Sequence, residues 1–373
     1  MSPVVIDLRN TDDSRDVVHR AVQALAEGRI VAFPTETVYG LAASALSEAA
    51  VGRLLAAKNR DASRPLALAV KSADEALDYA PGISPLGQRL ARRCWPGPIT
   101  LVIEDRHPES LITQLPPAVQ QAIAPNGTIG LRVPAHQVLL DVLRLLAGPI
   151  VLTSANRAGE PDAVTAQQVV ESMQDDVQLV MDDGRTRFGQ PSSVVRVHEN
   201  RFEVLRAGVV SEQTIKRLAS VIVLFVCTGN TCRSPMAEAM FRQLMAKRLG
   251  CKVDELADRG VIIMSAGIAA MMGGRPAPEA VAVLTPLGID LSMHESQPIT
   301  EQLIRHADLV LAMTRSHRHA ILAEWPDAAD RVKLLCRDGG DVPDPIGGTP
   351  EQYQRCAVQI KAELEGWLEE IQV

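Results

Sequence analysis

The chain has little of what holds a secreted or membrane protein together. Six cysteines in 373 residues are too sparse for a disulfide scaffold, and their irregular placement at 94, 227, 232, 251, 336 and 356 lacks paired zinc-ligand spacing. No apolar run is long enough to cross a bilayer; the longest, Val221 to Cys227, falls far short. The first residues, Met1 to Asp13, show neither a basic start nor an apolar core of signal-peptide length, so a cytoplasmic protein with no membrane partner is expected. Positive charge is not in excess either. A net charge of −7 argues against a chain-wide nucleic-acid footprint, although a local basic patch can sit inside an acidic average.

What is present is ordinary soluble composition, 46% hydrophobic and 22% charged, in a chain longer than single cores usually grow, which predicts two domains. In the first half, β-rich runs (29–35, 65–70, 99–104, 128–133, 149–153, 192–197, 201–205) alternate with helical periodicity over 15–27, 49–58 and 137–146. A mixed α/β domain ending near Gly208 is expected. After a polar stretch, four apolar runs (221–226, 261–264, 309–313, 332–335) are each trailed by a helical pattern, which implies a parallel sheet. A last helix with one apolar face, Tyr353 to Ile371, should cover it. The expected boundary lies at about 209–219, giving domains over 1–210 and 220–373.

One segment of the second half carries chemistry. Residues 223–240 run from a buried strand through a tight loop into a helix with Pro235 in its first turn. Free N–H groups at that helix start, with loop amides freed by Gly229, would converge on a tetrahedral oxyanion. The partial positive charge there, with Arg233 beside it, favours the thiolate of Cys227, the form that attacks phosphorus. Arg233 can clamp two phosphoryl oxygens with its planar fork. By position, Ser234 could bond the sulfur and Asn230 could brace the loop. The plainer reading is a buried structural cysteine; the strand, Gly229-Asn230, Arg233-Ser234-Pro235 and helix together argue against it.

These residues resemble the low-molecular-weight protein tyrosine phosphatase family across about 220–373, with further matches at Ser265-Ala266-Gly267, Leu309 to Thr314 and Asp344-Pro345. The resemblance implies a three-layer αβα domain on a four-stranded parallel sheet and a phosphate loop of Thr228, Gly229, Asn230, Thr231, Cys232 and Ser234. It makes Cys227 the nucleophile, Arg233 the clamp and Asp344 the general acid, with phosphorylated proteins as substrates and no cofactor; taken alone, Asp344 reads as a turn residue. Thr231 stands where phosphotyrosine enzymes carry a branched aliphatic, and the loop looks more like the protein-arginine phosphatase branch, so phosphoarginine is favoured over phosphotyrosine. Ile346 departs from both branches, which commonly have an aromatic there. Cys232 could form a protective disulfide with Cys227 or simply fill the loop.

The first half offers clusters rather than a nucleophile. Arg29 to Gly40 is a strand running into hydroxyls and a glycine; Lys58-Asn59-Arg60 closes a helix; Ser154-Ala155-Asn156 ends a strand. Cations with small polar groups suggest a nucleotide triphosphate, while singly each piece is explained by helix-dipole compensation or a turn. Together, the segments 33–41, 58–60, 95–101, 128–134, 154–156 and 205–208 resemble the YrdC-like family of threonylcarbamoyl-adenylate synthases across roughly 10–210. The resemblance implies ATP with Mg²⁺, bicarbonate and L-threonine as substrates, and a product that feeds tRNA modification through transferase proteins. It assigns Lys58, Arg60, Ser154 and Asn156 to the polar core of the site, Thr128, Arg132, Ser192 and Arg206 to the nucleotide, and Thr37 to threonine, with no resident metal. Ala69 replaces a histidine of the family that contacts threonine, and Arg64 a frequent asparagine. The resemblance further implies the family's concave basic surface, which would make tRNA or double-stranded RNA a candidate partner, against the plainer reading of scattered, solvated arginines. The fold class expected overall is α/β in two domains, YrdC-like then phosphatase. The activity expected is bifunctional; the alternative is an active phosphatase tethered to a non-catalytic nucleotide- or RNA-binding module.

Overall fold

The computed structural model describes residues 2–11, 13–59, 65–104 and 107–371. It falls into two compact units, Met1–Leu218 and Ala219–Val373. None of its helices is long and apolar enough to cross a membrane among the described residues.

The first unit is built on a ten-stranded mixed sheet. In chain order its strands are β1 (Val4–Asp7), β2 (Val31–Phe33), β3 (Gly40–Ser44), β4 (Ala67–Ala69), β5 (Ile99–Glu104), β6 (Thr128–Arg132), β7 (Ile150–Ser154), β8 (Leu179–Asp182), β9 (Ser193–His198) and β10 (Arg201–Arg206). Across the sheet the order is β1-β8-β2-β3-β7-β4-β6-β5-β9-β10. Helices Ser14–Ala26 and Gln137–Leu145 pack on it through Val18, Ala21, Leu25, Leu139 and Val142, against Val31, Phe33, Ile150 and Leu179. Asp13 caps the first of these helices by accepting from the N–H groups of Arg15 and Asp16.

Strands β1, β3 and β8 lie outside the runs expected from sequence. β3, with the sequence Gly-Leu-Ala-Ala-Ser, has weak intrinsic strand preference. It is held extended by antiparallel partners on both sides, β2 and β7. β1 is an edge strand with Val4 and Val5 exposed, and among the described residues it pairs with β8 alone. Register sets the middle of the sheet: Ala67 lies opposite both Leu152 and Gly130, Gly130 opposite Val102, and Val102 opposite Arg196. Two small residues in the central strands keep the floor low, and a cavity opens over this row.

The second unit has a four-stranded, all-parallel sheet in the order β12-β11-β13-β14, formed by β11 (Val221–Cys227), β12 (Val261–Gly267), β13 (Leu309–Ala312) and β14 (Val332–Leu334). β11 is buried on both faces, and its side chains alternate between two cores. Val223, Phe225 and Cys227 join Met236, Phe241, Tyr353 and Ile360 of helices Arg233–Leu249 and Pro350–Glu370. Ile222, Leu224 and Val226 join Ile304 and Ile321 of Glu301–His306 and Arg315–Glu324. This is the three-layer αβα arrangement expected from sequence. The last helix opens with a capping box between Thr349 and Gln352 and buries Tyr353, Cys356, Ala357, Ile360, Leu364 and Trp367 along one stripe. Each large side chain of that stripe contributes roughly 1.5–3 kcal/mol.

Candidate active sites

In the second unit the end of β11 delivers Cys227 into the loop ahead of helix Arg233–Leu249. No side chain caps that helix at Cys232, so its first amides remain available to a ligand. Cys227 is 2% exposed, but its sulfur has polar neighbours. It accepts the Asn230 N–H at 3.3 Å and lies 2.9 Å from Ser234 Oγ. Asn230 is fully buried and left-handed, with φ 52°; its Nδ2 donates to Ser234 Oγ at 2.9 Å and Ser265 Oγ at 2.8 Å, and its Oδ1 accepts the Gln297 N–H. His294 Nε2 pairs with its carbonyl at 2.9 Å. Asn230 thus ties the loop to the ends of neighbouring segments.

The sequence credited Gly229 with freeing the loop, and the structure differs. A Cβ at Gly229 would make only an ordinary contact with Thr231 Oγ1 at 3.6 Å. The glycine that the loop requires is Gly267, at the end of β12, where a Cβ would stand 2.5 Å from the Thr228 carbonyl and 2.8 Å from the Asn230 nitrogen. Close passage of two backbones, not loop torsion, is the constraint.

Arg233 is buried and points across the loop. Its Nη1 donates to the Val342 carbonyl at 3.2 Å, and its Nη2 to Thr228 Oγ1 at 3.3 Å and to Asp344 Oδ2. Asp344 comes from the segment after β14, with its side chain 40% exposed and its Oδ1 accepting the Ile346 N–H. The fold therefore brings Cys227, Arg233 and Asp344 to one spot. Cys232 sits behind, 3.5 Å from Tyr353 Oη and 3.7 Å from Thr231 Oγ1; burial pushes its thiol up. Both loop cysteines are free thiols. Ile346 is 68% exposed beside Asp344. Sequence reasoning missed His317, whose Nε2 lies 2.9 Å from Thr228 Oγ1. Its place 89 residues along the chain from Thr228 left no local signal.

In the first unit the cavity of about 840 Å³ is lined by Thr128, Arg132, Ser154, Ser192 and Arg206 among the expected residues, joined by Tyr39, Thr100 and Arg196, to which the sequence assigned no site role. Arg206 bonds the Ser192 carbonyl through Nε and Nη2, at 3.2 and 2.8 Å, and Ser192 Oγ at 3.1 Å; burial draws its pKa down. Thr100 Oγ1 lies 3.1 Å from the same hydroxyl. Arg132 is held by a buried ion pair with Glu36 at 2.7 Å and by Thr37 Oγ1 at 2.9 Å. Glu36 uses its second oxygen on the Ala135 N–H. The Arg132 Nε is buried with no partner among the described residues, a donor left for a ligand.

Thr37, Lys58 and Asn156 are outside this lining. Thr37 is fully buried against Thr35 and Arg132. Lys58 Nζ donates to the Ser154 carbonyl at 2.8 Å, to Asn156 Oδ1 at 3.0 Å and to the Asn156 carbonyl, bracing the strand end. Arg60 and Arg64 lie outside the described residues. Ala69 packs into the hydrophobic core, while the cavity is faced by Pro65, Leu66 and Ala67. As for Mg²⁺, the lining supplies one carboxylate, Glu104, against Arg132, Arg196 and Arg206, so these residues do not form a magnesium site of their own.

The family described as Telomere recombination (Sua5–YciO–YrdC) matches residues 23–208, and that described as Low molecular weight phosphotyrosine protein phosphatase matches 222–373. The chain is 35% identical over 221 residues to the putative threonylcarbamoyl-AMP synthase of Mycobacterium leprae, covering 58% of this chain and 94% of that relative. To the threonylcarbamoyl-AMP synthase of Pyrococcus abyssi it is 36% identical over 198 residues, 53% of this chain but only 56% of the relative's length. The crystal structure of P. abyssi Sua5 complexed with L-threonine matches with a TM-score of 0.52 at 26% identity, covering 70% of this chain and 92% of that one. The protein-arginine-phosphatase of Bacillus subtilis is 40% identical over 153 residues, covering 40% of this chain and 93% of the relative. By these matches the chain belongs to two families in succession, Sua5–YciO–YrdC in its first half and the low-molecular-weight phosphatases in its second.

Proposed function

We propose that this is a bifunctional enzyme: residues 1–210 make L-threonylcarbamoyladenylate from ATP, bicarbonate and L-threonine, releasing pyrophosphate, and residues 220–373 are a cysteine-dependent protein phosphatase that favours phosphoarginine. The observation that carries the phosphatase is the Cys227 sulfur under the Asn230 amide and the Ser234 hydroxyl, beside Arg233. The thiolate attacks phosphorus as the bond to the leaving group breaks, and Asp344 gives that group its proton. Water then attacks the phosphocysteine, with the Asp344 carboxylate taking its proton, and phosphate and thiolate are released. Arg233 and the loop amides hold the equatorial oxygens throughout. The B. subtilis relative's name and Thr231 support phosphoarginine. Phosphoarginyl peptides should therefore be cleaved faster than phosphotyrosyl ones in a phosphate-release assay, and the reverse order would sink the preference.

The synthase reading is supported by a cavity whose donors, Arg132, Arg196 and Arg206 with Thr128 and Ser192, suit an anionic triphosphate, and by the relatives' names. Magnesium would come with the triphosphate. Positive charge offsets that of the departing pyrophosphate, and the strand-end hydroxyl of Ser154 offers a partner to the small carbamate. Threonine is supported by the L-threonine complex of P. abyssi Sua5. Pyrophosphate release that requires ATP, bicarbonate and threonine together is the expected result; ATP binding without turnover would instead mark a nucleotide sensor. The product's further use on tRNA, through transferase proteins, belongs to the same reading.

A further inference from the structure

His317 is 7% exposed, near the start of helix Arg315–Glu324, and has a hydroxyl at each ring nitrogen: Thr228 Oγ1 at 2.9 Å from Nε2 and Thr314 Oγ1 at 2.9 Å from Nδ1. Thr314 also accepts the His317 backbone N–H at 3.2 Å and lies 2.9 Å from Ser316 Oγ. On the other side, Thr228 Oγ1 accepts from Arg233 Nη2 at 3.3 Å. A continuous chain thus runs from the guanidinium through the loop threonine and the imidazole to a helix cap on a different strand-to-helix unit. With Nε2 accepting the Thr228 hydrogen, that oxygen turns its lone pairs to Arg233, and Nδ1–H donates to Thr314; every polar atom along the chain is used.

We propose that His317 is a positioning residue of the phosphatase site: through Thr228 it fixes the Arg233 guanidinium in the orientation that binds a phosphoryl oxyanion. The inference rests on the phosphatase reading above. A neutral ring is required, since an imidazolium would confront Arg233. Burial first, and then that charge, push the His317 pKa down to about 4, with Asp344 and Asp341 opposing. Arg233 is held by the Val342 carbonyl through Nη1 and by Asp344 through Nη2; the hydroxyl that His317 holds supplies a third fixed point.

The test uses the full chain with p-nitrophenyl phosphate as substrate and inorganic phosphate as competitive inhibitor. His317→Ala should weaken phosphate inhibition and raise KM about 10-fold, the size of one hydrogen bond to a charged group. His317→Gln, which can still reach Thr228, should recover most of that loss. Thr228→Val should show the same defect, and His317→Ala with Thr228→Val together should be no worse than either alone, since both cut one chain. A His317→Ala protein with phosphate inhibition and KM like the wild type, or defects that multiply in the double variant, would overturn the proposal. If the wild type does not hydrolyse the substrate, or Cys227→Ser hydrolyses it equally well, the phosphatase reading and this inference fall together. If those controls behave and only His317→Ala is silent, the inference alone fails.

Discussion

The two sites are assembled in opposite ways. The phosphatase cradle is nearly contiguous: Cys227 to Ser234 supply sulfur, amides, hydroxyl and guanidinium on one strand, loop and helix, while Asp344 and His317 arrive from afar. The synthase cavity is dispersed over β3, β4, β5, β6, β7, β9 and β10, with no residue dominating its lining. A contiguous site concentrates its chemistry in single side chains. A dispersed one shares it, so its weak points are the contacts that hold the dispersed groups in register.

The sharpest test of that contrast is Cys227→Ser, which should lower phosphate release by more than about 10⁴-fold while leaving pyrophosphate release unchanged. Next, Asp344→Asn should cost about 10²–10⁴-fold on a substrate with a poor leaving group and much less on p-nitrophenyl phosphate, whose leaving group needs little protonation. In the dispersed site the largest effect should come from a residue that supports the lining. Glu36→Ala leaves Arg132 as an uncompensated buried charge, and urea unfolding should show the first unit destabilised by about 3–5 kcal/mol with phosphatase kinetics unchanged. An unaltered unfolding curve would break the comparison.

Acid offers a milder probe of the second unit. His317 titrates at about 4 when folded against an ordinary 6.5, so the unfolded chain takes the proton first. Stability should be complete above about 6.5 and drain as the pH falls towards 4, by on the order of 3 kcal/mol; the same denaturant titration on His317→Gln should be flatter. Smallest is Gly267→Ala, expected to cost about 1–3 kcal/mol as the new methyl pushes on Thr228 and Asn230.

Legibility followed the same divide. The segment from Val221 to Ser234 carries its strand, loop and anion-binding helix start in local sequence, and the alternation that fills both faces of β11 is visible as one unbroken apolar run. In the first half, β3 was unreadable because Gly40 to Ser44 has no strand signal of its own and is extended only by its neighbours. Glu36 looked like part of a polar motif and proved to be the counter-ion that holds Arg132. Arg196 looked like an ordinary strand residue and Thr100 had no role assigned within the 95–101 segment, yet register turns both into the cavity.

By itself the sequence determined the two-domain α/β character, the parallel sheet of the second half and the Cys227 loop, because these depend on periodicity and on groups a few residues apart. Tertiary structure alone decided that Gly267 must lack a side chain, that Lys58 bonds the Ser154 carbonyl at the strand end, and that His317 reaches Thr228. Those facts arise where groups distant in sequence come within one or two atomic diameters, a distance that no local pattern encodes.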